Sequence, residues 1–171
     1  MDKNWQTIIG LRSELQRCDE NNITTASIAM AFICIDSLAN LGRPLNKDKV
    51  TRSDFKSWVD TYLFTHSDQP YKYRGKDVYA ARCAFLHTYG SEASMHKEDA
   101  DIIMYGYHDG GKHGYDKKIN PRLVIIGVKS FVGDVIIAIE SFIKDCASDT
   151  ELRNRVEPRL ENVLQSSPIK L

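Results

Sequence analysis

The chain has 171 residues, 42% of them apolar, with 10 Gly and 5 Pro, which excludes a disordered or fibrous chain and suits one domain with its own core. Its 23 Lys and Arg balance 23 Asp and Glu, so it is neither a globally basic nucleic-acid coat protein nor the carrier of a supercharged tail, although a local basic groove is compatible with that balance. The cysteines (Cys18, Cys34, Cys83, Cys146) are widely spaced and form no Cys-x-x-Cys pair, and Met1 to Gln6 contain no apolar secretory stretch. Free thiols and a cytoplasmic location are the expectation.

The first predicted helix covers about Asn4 to Cys18, where Trp5, Ile8, Ile9 and Leu15 recur at helical spacing. After a polar turn, a second runs from Thr24 or Thr25 to Leu41-Gly42 and is apolar almost all round, as a central helix would be. Within it Asp36 shares a face with Phe32 and Ile33, and an acid placed there needs a partner. Two segments, Ile23 to Leu41 and Leu123 to Ile143, approach membrane-span composition. The first contains Asp36 and the second Lys129, Asp134 and Glu140, and each charge at bilayer depth costs about 2.5 kcal/mol or more, so both read as buried elements and no membrane partner is expected.

The third predicted helix starts at Thr51 or Ser53, with Phe55, Trp58, Val59, Tyr62 and Leu63 on one stripe. A polar connection carrying Lys72, Arg74 and Lys76 leads to a fourth helix over about Asp77 to Tyr89, stopped by Gly90. Residues 100–127 read as a β-hairpin with a long tip: Ile102 to Tyr107 going out, the Gly110-Gly111 and Gly114 cluster turning, Leu123 to Ile126 returning. A broad-faced helix follows from Val128 to Cys146, then an amphipathic one from Thr150 to Gln165, interrupted or restarted at Pro158, and a frayed tail over 166–171. The fold class expected is mainly α: a bundle of five to six helices with a small β-hairpin insertion, forming a single domain over residues 1–171.

The fourth helix carries the chemistry. Arg82 and His87 are five residues apart, which on a helix is about 7.5 Å of rise and about 140° of rotation. A long arginine can swing towards a groove that the histidine also lines. Tyr79, Cys83 and His87 recur at four-residue spacing and share a face. Imidazole can remove or return a proton near neutrality, and guanidinium forks onto phosphate oxygens. Cleavage of RNA without a metal needs both, a base for the 2′-hydroxyl and positive charge at the developing phosphorane, and a symmetric dimer would bring two of each to one cleft.

At these residues the sequence resembles the HEPN superfamily. Arg82-Cys83-Ala84-Phe85-Leu86-His87 matches the R-x4-6-H motif of that superfamily, and Val78 to His87 looks like a branch of small stand-alone bacterial HEPN proteins. The resemblance implies a helical homodimer and a metal-independent endoribonuclease of the toxin–antitoxin or phage-defence kind, with RNA as substrate, no cofactor, and an antitoxin protein as a further partner. Carried over, Arg82 and His87 are the catalytic pair. The residue after the arginine is usually polar in the superfamily, whereas here it is Cys83. The alternative is an inactive dimer that binds RNA, a nucleotide or a protein, and a third reading is a purely structural bundle.

Around the pair, Tyr79 and Cys83 are expected to line the site and Asp36 to fix the Arg82 guanidinium across the bundle. Lys72, Arg74 and Lys76 are expected to bind RNA, with Lys112, Lys117, Lys118 and Arg122 at the hairpin tip adding to one phosphate-binding surface if both segments flank the cleft. Cys83 and His87 could form half of a zinc site, but His96, His108 and His113 lack a standard ligand spacing, and no metal is expected.

Overall fold

Residues 5–163 are described by a computed structural model. The tail over 166–171 and the expected helix start at Asn4 lie outside the described residues.

The order is α1 (Gln6–Glu20), α2 (Thr24–Gly42), α3 (Arg52–Tyr62), α4 (Gly75–Thr88), α5 (Met95–Glu98), β1 (Met104–His108), β2 (Leu123–Gly127), α6 (Val128–Ser148) and α7 (Thr150–Leu160). The fold is mainly α, with seven helices among the described residues rather than five to six. The short α5 was not expected. The predicted last helix runs unbroken through Pro158 and ends at Leu160, and Asp149 caps it by accepting from the amides of Glu151 and Leu152.

α2 is the hub: it touches α1, α3, α4, α6 and α7. Its length and apolarity would let it cross a membrane by composition alone, but half of its apolar window is buried in the bundle. Phe32 of α2 stacks at a tilt on Phe131 of α6, centroids 5.6 Å apart, and both rings are fully buried. The stripe read in α3 holds: Phe55, Trp58 and Val59 are buried. Trp58 and Tyr62 close on Phe142 of α6. A capping box between Thr51 and Asp54 starts α3.

The hairpin expectation is corrected. β1 and β2 pair in parallel, Met104 opposite Leu123 through His108 opposite Gly127. The glycine-rich turn after β1 does reverse the chain. Its return leg, however, is a single antiparallel bridge from Gly114 to Ile125, with both N–H···O contacts at 2.8 Å. That leg lies beyond β2, so β2 enters between it and β1 and runs in the direction of β1. Residues 109–122 supply the crossover that a parallel pair requires.

A buried polar chain ties this crossover to the helices. The His113 ring accepts the Gly127 amide at Nδ1 (3.0 Å), which leaves the proton on Nε2, 2.9 Å from the Tyr73 hydroxyl. Tyr73 in turn donates to Asp134 of α6 at 3.1 Å. Burial pushes Asp134 up to about 6, against the hydrogen bond from Tyr73 and the nearby His66 and Lys72. Burial, with His108 and Lys72 adding to it, lowers His113 to about 4. An ionised Asp134 is therefore a liability at neutral pH, relieved as pH falls through its folded-state value. Asp134→Asn, which keeps an acceptor for Tyr73, is expected to be more stable than the parent at pH 7 by up to about 3 kcal/mol. The advantage shrinks to nothing near pH 4, where Asp134 is protonated. Urea unfolding of both proteins at several pH values checks this; a gap that does not change with pH would contradict it.

Candidate functional site

α4 forms because Ala80, Ala81 and Ala84 are strong helix formers and, with Val78, make up its buried face. Its start is fixed by a close approach to α3. The Gly75 amide donates to Asp60 at 2.6 Å, and a Cβ at Gly75 would lie 2.5 Å from the backbone oxygen of Lys56. Its end differs from expectation. The stop is Tyr89, in the left-handed region at φ 52°, and not Gly90, since no glycine among the described residues has positive φ. The Tyr89 hydroxyl reaches back to Thr25 at the start of α2, 3.0 Å away.

At that end of α4 the expected pair meets. Arg82 Nε donates to Asp36 Oδ2 at 2.7 Å, and Arg82 Nη1 lies 3.2 Å from His87 Nε2. A guanidinium only donates, so Nε2 is the accepting nitrogen and the imidazole proton sits on Nδ1. The partner that Asp36 needed is thus Arg82, across α2 and α4. Burial pushes the Asp36 carboxyl up, with the Arg82 hydrogen bond and the charges of Arg82 and His87 pulling it back. Burial works against the Arg82 charge too, but the bond to Asp36 holds its pKa above the ordinary arginine value. His87 itself is exposed. The result is a fixed cation hydrogen-bonded to an exposed imidazole, an arrangement able to bind a phosphodiester and move one proton next to it.

The other expected residues are placed less uniformly. Tyr79 packs edge-on against Phe55 of α3 at 5.2 Å, and burial and the adjoining Cys83 push its hydroxyl pKa up. Cys83 adjoins Arg82 but turns its apolar contacts to a small cluster of Ala80, Met95 and Ile102. Among the described residues neither Tyr79 nor Cys83 hydrogen-bonds His87.

Lys72, Arg74 and Lys76 lie at the opposite end of α4. Arg74, at the N-cap, is about 20 Å from His87 along the helix axis. Arg74 is held by Asp77 and Asp101, and Lys76 by Asp99 and Asp101. Only Lys72 of the three has no carboxylate partner among the described residues; its Nζ donates to the His66 carbonyl at 2.8 Å. The three cations therefore do not flank the Arg82–His87 pair of the same chain.

The histidines weighed as metal ligands point elsewhere. His96 is buried with Nδ1 on the Ala93 backbone, His108 Nε2 meets the Lys112 carbonyl, and His113 belongs to the Tyr73 chain. Two grooves, of about 690 Å³ and about 290 Å³, lie away from the pair, and neither is lined by Arg82 or His87.

Two features escaped sequence reasoning. Asp77, read as a first-turn acid, is fully buried and gathers Tyr71, Arg74 and the Ile103 amide. Asp134 was marked only as a charge in an apolar run, which is the same signal that singled out Asp36. Comparison of the chain with protein-family models, curated proteins and solved structures finds no match.

Proposed function

We propose that this chain is a metal-independent endoribonuclease of HEPN type that works as a homodimer. The observation that carries the reading is the Asp36–Arg82–His87 chain, 2.7 Å and 3.2 Å between successive partners, at the exposed end of α4. Arg82 keeps Nε on Asp36 and turns its Nη groups onto a non-bridging phosphate oxygen. That movement releases His87 Nε2, whose lone pair takes the proton of the ribose 2′-hydroxyl. The 2′-oxygen attacks phosphorus, the P–O5′ bond breaks, and a 2′,3′-cyclic phosphate forms. The departing 5′-oxygen takes a proton from an imidazolium, and a partner subunit supplies a second histidine to share that duty. Asp36 is a positioning residue, because it acts through Arg82.

The dimer part rests on α2. Ile33, one turn before Asp36, is 39% exposed, and Ile137 of α6, a helix packed on α2, is 60% exposed. Ala26, Ala29 and Met30 extend the partly open apolar stripe of α2. Ile33→Glu is expected to convert a dimer into a folded monomer and to reduce cleavage by about tenfold or more at low protein concentration. Light scattering after size exclusion, with circular dichroism for the fold, checks it; an unchanged mass would remove α2 as the interface.

The test of the activity is incubation of the protein with several unstructured RNAs in excess EDTA. Cleavage that leaves 2′,3′-cyclic phosphate ends and stops at a 2′-deoxy position supports the reading. No cleavage at high protein concentration favours a binding-only dimer, the second reading, which the apolar packing of Cys83 beside Arg82 favours.

A further inference from the structure

The larger groove lies at the other end of α4, between the segment before that helix and the crossover between β1 and β2. Its lining includes Lys72 and Arg74 from the first segment and Tyr115, Lys117 and Arg122 from the second. The two stretches whose cations the sequence offered as one phosphate-binding surface are therefore joined, but around this groove and not around His87. At about 690 Å³ the groove is the size of a small-ligand site.

Its charge is lopsided in a specific way. Among the described residues Asp101 is the only carboxylate in the lining, and Arg74 and Lys76 already satisfy it. Among the described residues Lys72, Lys117 and Arg122 have no carboxylate within ion-pair distance. Arg122 is anchored by Nη2 on the His96 carbonyl at 2.5 Å, while its Nε–H is buried without an acceptor. The buried Nε–H is out of a ligand's reach, so Arg122 contributes its charge to the groove and not a contact from Nε. The aromatic wall is rigid: Tyr115 meets Tyr71 edge-on at 5.5 Å, its hydroxyl donates to the Pro121 carbonyl at 3.1 Å, and Lys117 lies 5.8 Å from its ring centre. Lys117 Nζ lies over one face of this ring, and when that exposed lysine moves off it onto a phosphate the face is bared for a base, the combination of stacked base and neighbouring cation that single strands use.

We infer that this groove holds a nucleotide of single-stranded RNA away from the reacting phosphodiester, with phosphate on Lys72, Lys117 and Arg122 and a base on Tyr115. The choice of RNA over other polyanions rests on the proposed cleavage reading. The site's role is to hold the strand.

The experiment uses a short fluorescent 2′-O-methyl oligonucleotide, which cannot be cleaved through its 2′-oxygen, and the whole protein. Anisotropy is read in about 0.1 M salt and across a salt series. Lys72→Glu/Lys117→Glu, at two exposed positions, is expected to weaken binding by about tenfold or more and to flatten the salt dependence by about 1.4 in logarithmic slope. Tyr115→Ala is expected to cost about tenfold with little change in slope. Binding by the parent with no cleavage of unmodified RNA would sink the nuclease reading and leave the groove standing. Parent-like affinity and slope in the double charge variant, failure of the parent to bind, or competition by AMP as effective as by unlabelled strand would each overturn the inference.

Discussion

In excess EDTA, His87→Ala and Arg82→Ala are each expected to lose at least about a hundredfold in RNA cleavage, the usual contribution of a positioned proton-transfer group or charge stabiliser. The fold should survive both. His87 is exposed, so its removal opens no cavity. Arg82→Ala leaves Asp36 without its cation, but Asp36 is partly open to solvent, with 29% of its side chain exposed. Asp36→Asn separates positioning from chemistry. It retains an acceptor for Arg82 Nε and removes only the charge, so its loss should be smaller than that of Arg82→Ala and should fall on turnover more than on RNA affinity. Rates on one RNA, with thermal melts beside them, decide the matter. Cleavage that persists in both His87→Ala and Arg82→Ala would remove the pair from the reaction.

The largest expected effect on stability is at Asp77. This carboxylate is fully buried and accepts four hydrogen bonds: Tyr71 Oη and Arg74 Nε at 2.6 Å, Arg74 Nη2 and the Ile103 amide at 3.0 Å. Because Tyr71 donates to Asp77, the buried Tyr105 hydroxyl, 3.0 Å away, donates to Tyr71 in turn. Asp77→Ala orphans a buried hydroxyl and a buried amide at once and leaves Arg74, which is partly exposed, to Asp101 alone. A cost of about 2–5 kcal/mol is expected, mostly from the two orphaned groups at about 1–3 kcal/mol each. Asp77→Asn should fall between, since it accepts but cannot balance Arg74. Urea unfolding with an unchanged slope is the readout. A loss below about 1 kcal/mol for Asp77→Ala would mean that neighbouring groups or water replace the carboxylate.

What was legible in the sequence was what short-range chemistry determines. The Phe55, Trp58, Val59 stripe gave α3, and Thr51 its start, because period and cap are local. Asp36 was conspicuous as an acid among apolar neighbours, and the cost of leaving it alone required a partner without choosing Arg82 over a backbone amide or a hydroxyl. The contact between Arg82 and His87 was legible only through the reach of the arginine, since their Cα positions do not share a face. Strand direction was not legible. The same Gly-rich turn and apolar runs serve a hairpin or a parallel pair, and the outcome depends on which side of β2 the Gly114 leg occupies. The left-handed stop at Tyr89 escaped for a related reason: Gly90 is the residue that conformation favours, and a contact to Thr25, 64 positions away, accompanies the tyrosine instead. The basic stretch was expected to flank the cleft, but its distance from His87 depends on where α4 begins, and Gly75 sets that through its approach to Lys56 and Asp60.

The central place of α2 has a consequence for how this protein tolerates change. Asp36 sits on that helix between Ile35 and Leu38, both buried. The same rod that fills the core thus aims the group that grips Arg82. A trimmed side chain at Leu38 would let α2 settle or rotate, and the lever arm from the core to Asp36 turns a small settling into a misdirected guanidinium. Packing defects far from His87 should therefore register as lost turnover before they register as unfolding.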